Sequence, residues 1–182
     1  MTNKNISSFS LKFIDIMIAV VLGLGFQWWT SLQEPWQFIA FIFVYVDIID
    51  YWLDYSPSLK KFPPKREYDL ILDVTIMFSL FLYIFSTQKT IGYFLTTFIL
   101  WRAFDFIWLL RAKMEYQPIG RAKDFISTWL LTNMLEMAST IVIVGAVSIV
   151  KLSSLAIILI FIALRALLRI FASIKYKSIY FS

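Results

Sequence analysis

Residues 41–55, FIFVYVDIIDYWLDY, form an apolar run that contains Asp47, Asp50 and Asp54. In an α-helix these positions are i, i+3 and i+7, which places the three carboxylates on one stripe within about 60° of arc. An uncompensated charge inside a bilayer costs about 2.5 to 3.5 kcal/mol even on the scale measured from helix insertion. We therefore expect polar or charged groups of other helices to compensate this acidic stripe.

The composition is that of a membrane protein. Of 182 residues, 60% are hydrophobic, 19% are aromatic and only 16% are charged, and the mean hydropathy is +0.75. Average proteins contain about 45 to 50% apolar and about 25% charged residues. A chain of this length accommodates about six spans of about 20 residues each, with little left over. Any activity is therefore expected within the spans or at their ends.

The apolar runs predict an all-α, polytopic membrane protein. Six transmembrane helices are expected, arranged as three helical hairpins in a single transmembrane domain over residues 1–182. A 58-residue shift that aligns Asp15 with Asp73 and Asp47 with Asp105 favours the hairpins, although a constant bilayer thickness alone would give hairpins of similar length. The predicted spans cover residues 11–29, 36–55, 69–86, 91–110, 125–150 and 155–171.

The basic residues predict the orientation. Two of the 17 Lys and Arg residues, Lys89 and Lys151, lie on one side of the predicted spans, and Arg102 lies within the fourth span. Because positive charge favours the cytoplasmic side, we expect both termini in the cytoplasm and the chain in the cell membrane. The fourteen residues on the opposite side are Lys4, Lys12, Lys60, Lys61, Lys65, Arg66, Arg111, Lys113, Arg121, Lys123, Arg165, Arg169, Lys175 and Lys177.

With this orientation, most of the charged residues in the spans lie in the cytoplasmic half. The candidate ion-binding or relay groups are Asp15, Asp47, Asp50, Asp73, Asp105 and Glu136, and the candidate counter-charges are Arg102, Arg165 and Arg169. Burial and neighbouring like charges both favour the neutral form of a carboxyl group, which is the condition for proton exchange near neutral pH. These groups are therefore candidates for a proton or cation site.

A structural interpretation of the same charges is also open. Asp47 and Asp50 would pair with Arg102, Arg165 or Arg169 to hold helices together, with Asp54 at the interface. Arg102 and Asp105, at i and i+3, would neutralise each other. Glu136 has no partner within its own helix and would be either a protonated group bonded to a neighbouring span or a relay carboxyl. Arg165 and Arg169 would extend to the inner headgroups.

The absence of Cys and His excludes several kinds of chemistry. Haem ligation, iron–sulfur clusters, thiol chemistry and His-based acid–base catalysis all need one of these residues. No cofactor is expected. Carboxylate, hydroxyl and amide oxygens can bind protons, alkali cations, Mg²⁺ or Ca²⁺, so the identity of any metal is unknown. Arginine side chains can bind phosphates.

Known family patterns are matched only in outline. The sequence resembles the layout of voltage-sensor domains in having acids at the inner ends of spans 1 to 3 and an Arg in span 4. Voltage-sensor domains, however, repeat Arg at every third position, and here only Arg102 lies within span 4. The number of spans and the chain length are similar to those of the substrate-binding components of energy-coupling-factor transporters. Those proteins have a small-residue coupling motif, of which this sequence contains only Ala19 and Gly23. No family is identified from these features.

Three classes of function follow from the sequence. The first is a small transporter or channel for protons or cations, and the second is a non-catalytic membrane subunit or effector. The third, with least support, is an enzyme acting on lipid phosphates. We expect the chain to contact the lipid bilayer and not to bind nucleic acid. Whether it binds a protein at the cytoplasmic face, and whether it forms a homo-oligomer, are both open. Partner or lipid contact is expected at Lys60, Lys61, Lys65, Arg66, Arg121 and Lys123.

Overall fold

A computed structural model describes residues 3–149 and 151–175, and the side chains of residues 12–147 and 151–175. These residues form six α-helices and one short 3-10 helix, and no strand is found among them. Val150, the predicted end of the fifth span, and Lys177 lie outside the described residues. The helices are α1 (Asn3–Phe26), the 3-10 helix (Gln27–Ser31), α2 (Pro35–Lys61), α3 (Glu67–Ser86), α4 (Ile91–Tyr116), α5 (Arg121–Ile149) and α6 (Ser154–Lys175).

All six helices are long and apolar enough to cross a membrane, which confirms the prediction of an all-α chain with six candidate spans. Large apolar side chains are exposed along them, including Ile71, Val142 and Leu167, which are 64%, 70% and 63% exposed. Apolar side chains exposed along so many helices are expected to be covered by lipid or by another protein. The chain therefore fits a multi-pass membrane protein.

Three helices extend beyond their predicted ends, and one of them is α6, which reaches Lys175 rather than Phe171. The helix α2 continues past Tyr55 to Lys61, with Pro57 inside it, and α4 continues past Leu110 to Tyr116. Proline removes one backbone donor from a helix. The Ser58 hydroxyl donates a 2.6 Å hydrogen bond to the Asp54 carbonyl, four residues earlier. The helix nevertheless continues beyond the proline to Lys61.

The contacts divide the chain into two compact units, and the first is Met1–Thr90. Within it α1 contacts both α2 and α3, and α2 also contacts α3. Buried residues follow helical spacing, as at Ile14, Ile18 and Val21 of α1. The Tyr45 hydroxyl of α2 donates a 2.6 Å hydrogen bond to the Leu22 carbonyl of α1, close to the end of that helix.

Aromatic rings gather at the end of the first unit that carries the 3-10 helix. Trp28 makes edge contacts with Phe81 and Phe85 of α3, with ring centroids 4.9 and 5.2 Å apart. Trp29 contacts Phe38 and Phe41 of α2 at 5.1 and 5.4 Å. Trp at this position is typical of the boundary between hydrocarbon and water.

The second unit is Ile91–Ser182, in which α5 contacts both α4 and α6. Phe94 and Phe98 of α4 make edge contacts with Phe161 of α6, with centroids 5.6 and 4.8 Å apart. The described helices thus group in threes within the two units. The arrangement as three hairpins in a single domain stays a prediction.

Gly25 lies where α1 meets the other two helices of the first unit. A Cβ atom there would lie 2.9 Å from two side-chain atoms of Ile84 in α3 and 3.1 Å from the Tyr45 hydroxyl in α2, whereas a Cβ at Gly23 would meet nothing within 4 Å. The branched Ile84 side chain has little freedom to move aside. The small residue at position 25 is therefore required by helix packing.

We expect Gly25→Ala to destabilise the chain by about 1 to 3 kcal/mol, the usual cost of overpacking. Gly23→Ala is the matched control, and it should stabilise the helix by up to about 1 kcal/mol because alanine is the better helix former. Thermal and denaturant unfolding in detergent micelles measures both. Equal stability of the two variants would contradict this packing.

Candidate functional site

Glu136 of α5 lies at the centre of a buried charge cluster in the second unit. Its Oε2 atom is 2.8 Å from the Nε atom of Arg102 in α4, and its Oε1 atom accepts a 2.8 Å hydrogen bond from Nη1 of Arg165 in α6. The three side chains are only 1%, 1% and 4% exposed. Each carboxylate oxygen therefore contacts one guanidinium group, and the contacts join all three helices.

Asp105 and Asn133 extend this cluster. The Oδ2 atom of Asp105 lies 3.6 Å from Nη1 of Arg102, and it accepts a 2.6 Å hydrogen bond from the Asn133 amide of α5. The two acids and two arginines carry no net formal charge together. We call Arg102, Asp105, Asn133, Glu136 and Arg165 the charge cluster.

Aromatic and hydroxyl side chains support the charge cluster. The Arg102 guanidinium lies over the rings of Trp101 and Phe98, 3.9 and 5.3 Å from their centroids, and such cation–π contacts strengthen when water is excluded. The Ser139 and Thr140 hydroxyls donate to the backbone carbonyl of Glu136, at 3.1 and 2.7 Å. These contacts therefore help to stabilise the charged side chains inside an apolar unit.

A narrow cleft opens beside Glu136 and Arg165. Its free volume is about 10 Å³, which is close to the room that one water molecule needs. The cleft gives the charge cluster space for a water molecule rather than for an organic ligand. Its lining residues are Phe98, Glu136, Ser139, Thr140, Ile143, Phe161, Leu164, Arg165 and Leu168.

The acids of the first unit have a different environment. Asp73 of α3 is fully buried and accepts a 2.8 Å hydrogen bond from the Tyr55 hydroxyl of α2. Asp47 of α2 is also buried, at 4% exposed, and Asp50 is half-buried one turn later. Tyr51 stacks on Tyr55 with ring centroids 4.9 Å apart. Carboxyl and phenol groups thus lie together where α2 meets α3.

Buried hydroxyl groups continue from Asp73 along α3. Ser79, Tyr83 and Ser86 are 2%, 0% and 0% exposed. The two serine hydroxyls donate to backbone carbonyls three residues earlier, at 2.7 and 2.6 Å. A serine that donates this way still has lone pairs that can accept. The helix therefore carries buried oxygen atoms along most of its length.

Asp15 differs from the other predicted acids because its side chain is exposed. Its Oδ1 atom accepts a 2.9 Å hydrogen bond from the indole N–H of Trp52 in α2. The contact ties the middle of α1 to α2. As an ion-binding group, Asp15 would stand at the surface of the first unit.

The remaining predicted residues lie outside these two sites. Arg169 of α6 is half-buried, and its guanidinium lies 5.1 Å from the centroid of the Trp129 ring. Six basic residues predicted for partner or lipid contact are exposed: Lys60, Lys61, Lys65, Arg66, Arg121 and Lys123. Within the described part of the chain, no group of three or more Asp or Glu side chains could hold a metal ion.

The candidate residues from the sequence omit three polar contact residues, Asn133, Trp52 and Tyr55. Asn133 lies one helical turn before Glu136 and so on the same face, a signal that spacing does supply. Trp52 and Tyr55 give no such signal, because aromatic residues in a span are common both at interfaces and in packed cores. Their role as hydrogen-bond donors becomes visible only once α1, α2 and α3 are in place.

Removing the negative charge of Glu136 should destabilise the chain. The Glu136→Gln variant keeps the side-chain shape but leaves two buried guanidinium groups with less compensating charge, and breaking a buried pair in this way costs about 3 to 5 kcal/mol. The control is Asp124→Asn, which removes an exposed carboxylate in the first turn of the same helix and should have a much smaller effect. Unfolding in detergent micelles measures the difference, and equal losses would contradict a stabilising cluster.

The described residues form six apolar helices. They also form a compensated charge cluster in the second unit and a set of buried oxygen atoms on α3. No protein-family model, curated protein or solved structure matches this chain.

Proposed function

We propose that this protein moves protons or small cations across a membrane along the carboxyl and hydroxyl groups of α2 and α3. The observation that supports this proposal is the set of buried oxygen-bearing side chains on α3, at Asp73, Ser79, Tyr83 and Ser86. Polar groups are costly inside a bilayer and, where they occur, commonly mark proton or ion pathways.

The charge distribution along the sequence favours the first unit for a cationic species. Residues 13–59 and 67–88 contain no Lys or Arg, although they contain Asp47, Asp50 and Asp73. The charge cluster is a poorer path, because a cation reaching Glu136 would meet Arg102 and Arg165 and would have to displace a 2.8 Å ion pair. We assign the cluster to holding α4, α5 and α6 together.

The hydrogen bond between Tyr55 and Asp73 suits proton transfer. A phenol donates one hydrogen bond and accepts others, so it can receive a proton on its oxygen as it passes its own proton to a carboxylate. The 2.8 Å distance is within the range that such transfer needs. In this proposal Asp50 and Asp47 continue the path along α2, and the hydroxyls of α3 continue it along the second helix.

The proposal includes an orientation. Both termini and the basic loops that precede α3 and α5 face the cytoplasm of the cell membrane, because fourteen of the 17 Lys and Arg residues lie on that side of the spans. Asp73, near the beginning of α3, then lies in the cytoplasmic half. Protons or cations would enter from the cytoplasm at Tyr55 and Asp73.

A second function rests on a different observation. The exposed basic residues between α2 and α3, and at the beginning of α5, would let the chain act as a non-catalytic membrane subunit that binds a cytosolic partner. In that case the acids of the first unit would serve only to hold helices. Transport and a purely structural role predict different results in the same assay.

The test is ion flux into proteoliposomes that contain the purified chain, with H⁺, K⁺, Na⁺ and Mg²⁺ gradients examined in turn. Asp73→Asn and Asp50→Asn should abolish flux by removing the ionisable oxygen. Tyr55→Phe should lower it about tenfold or more, the equivalent of one hydrogen bond to a charged group. Tyr68→Phe is the matched control, because Tyr68 is exposed on α3, and it should leave flux unchanged.

Each variant must also keep the parent's melting temperature, so that loss of flux is separated from loss of fold. Undiminished flux in a folded Asp73→Asn variant would contradict the assigned path. The absence of flux of all four ions in the parent chain would contradict transport of these ions and favour the membrane subunit.

A further inference from the structure

The connection between α2 and α3 concentrates positive charge in a short segment. Residues 60–66, which we call the basic loop, contain Lys60, Lys61, Lys65 and Arg66, and all four side chains are exposed. Because α2 ends at Lys61 and α3 begins at Glu67, only five residues connect the two candidate spans. The charges therefore cannot extend far from the ends of these spans.

The backbone of the basic loop is held in place on both sides. Phe62 is buried, and its N–H donates a 2.8 Å hydrogen bond to the Ser58 carbonyl. The N–H groups of Lys65 and Arg66 each donate a 2.9 Å hydrogen bond to Oδ2 of Asp69, which is itself fully buried. A segment ordered in advance loses less entropy when it binds a ligand.

An aromatic side chain orients the last cation of the basic loop. The Arg66 guanidinium lies 5.4 Å from the centroid of the Tyr68 ring, and its Nη1 atom donates a hydrogen bond to the Tyr68 hydroxyl. Tyr68 is 52% exposed, so the pair is open to its surroundings. A guanidinium group can bind phosphate oxygens with two parallel hydrogen bonds, which a lysine ammonium cannot do.

Apolar side chains lie beside these charges on the same two helices. Leu53 of α2, seven residues before Lys60, is 57% exposed, and Ile71 of α3, five residues after Arg66, is 64% exposed. Cations at a span end followed by exposed apolar groups match the two parts of a phospholipid, an anionic headgroup and an acyl chain. A soluble anionic partner would use the charges but not Leu53 or Ile71.

From these observations we infer that the basic loop is a binding site for the phosphate headgroup of an anionic phospholipid, with the acyl chains against Leu53 and Ile71. The inference requires the spans to lie in a bilayer but does not require transport. Its failure therefore leaves the proposed function untouched, and the failure of transport leaves the lipid site untouched.

The experiment measures lipid binding to the full chain in detergent micelles, by native mass spectrometry or by the rise in melting temperature on adding lipid. Phosphatidylglycerol is the probe, and phosphatidylcholine, which has no net charge, is the reference. The test variant is Lys60→Gln, Lys61→Gln and Lys65→Gln together. The control variant is Lys12→Gln, Lys113→Gln and Lys175→Gln, all three exposed, so that both triple variants lower the formal net charge from +5 by the same amount.

We expect the parent chain to prefer phosphatidylglycerol, and the test variant to bind it about tenfold less tightly or weaker still. The control variant should lose no more than about threefold. Equal losses in the two variants would overturn a defined site, because net charge alone would then explain binding. Unchanged binding in the test variant would also overturn it, because the lipid would then bind at another place on the chain.

Glycerol phosphate supplies a further arm of the experiment, since it carries the headgroup phosphate without acyl chains. The proposal expects no rise in melting temperature with glycerol phosphate at the concentration where phosphatidylglycerol acts. An equal rise would show that the basic loop takes a free phosphate and would overturn the assignment to a lipid.

Discussion

The ion pairs of Glu136 with Arg102 and Arg165 are the interaction on which the second unit depends. An ionised side chain removed from water is stable only when an opposite charge or several hydrogen bonds replace its hydration. Glu136 has a guanidinium group 2.8 Å from each carboxylate oxygen, and the two arginines come from different helices. These distances hold only when α4, α5 and α6 keep their present positions, so the charges fix the helix packing.

The two units use buried acids in different ways. In the second, Asp105 and Glu136 face arginines, and their charges are compensated within three helices. In the first, the buried Asp73 accepts a hydrogen bond from a phenol, while Asp15, which accepts one from an indole, is exposed. The hydrogen bond from the Tyr55 hydroxyl to Asp73 supports the proposed transport in the first unit, and the ion pairs of Glu136 support the structural role of the charge cluster in the second.

Much of the helical architecture follows from the sequence, because hydrophobic runs of about 20 residues in an apolar chain have few alternatives to transmembrane helices. Helix ends are harder to predict. The helix α2 continues through Pro57 to Lys61, although proline commonly ends a helix. The α4 helix extends past Leu110 to Tyr116, where Arg111 and Glu115 lie one turn apart at 3.9 Å.

The partners of the charged groups are harder still to predict from sequence. Spacing correctly brings Arg102 near Asp105, at 3.6 Å, but the closer carboxylate is that of Glu136, which lies 34 residues further along the chain. Arg165 was expected at the headgroups or as a counter-charge, and the structure places it on Glu136 instead of at a surface. Periodicity shows which residues share one helix face. The way in which the helices cross determines which faces meet. Packing at residues such as Gly25 determines how the helices cross.

The central claim is that Glu136 carries a negative charge compensated by two arginines, and infrared spectroscopy of the chain in lipid tests it most directly. A protonated carboxyl group and a carboxylate absorb in separate regions, so the difference spectrum between the parent and Glu136→Gln reports the state of this one group. We predict that at neutral pH the substitution removes a carboxylate band and leaves the protonated carboxyl region unchanged. Loss of a protonated carboxyl band would show a neutral Glu136 and would contradict the account.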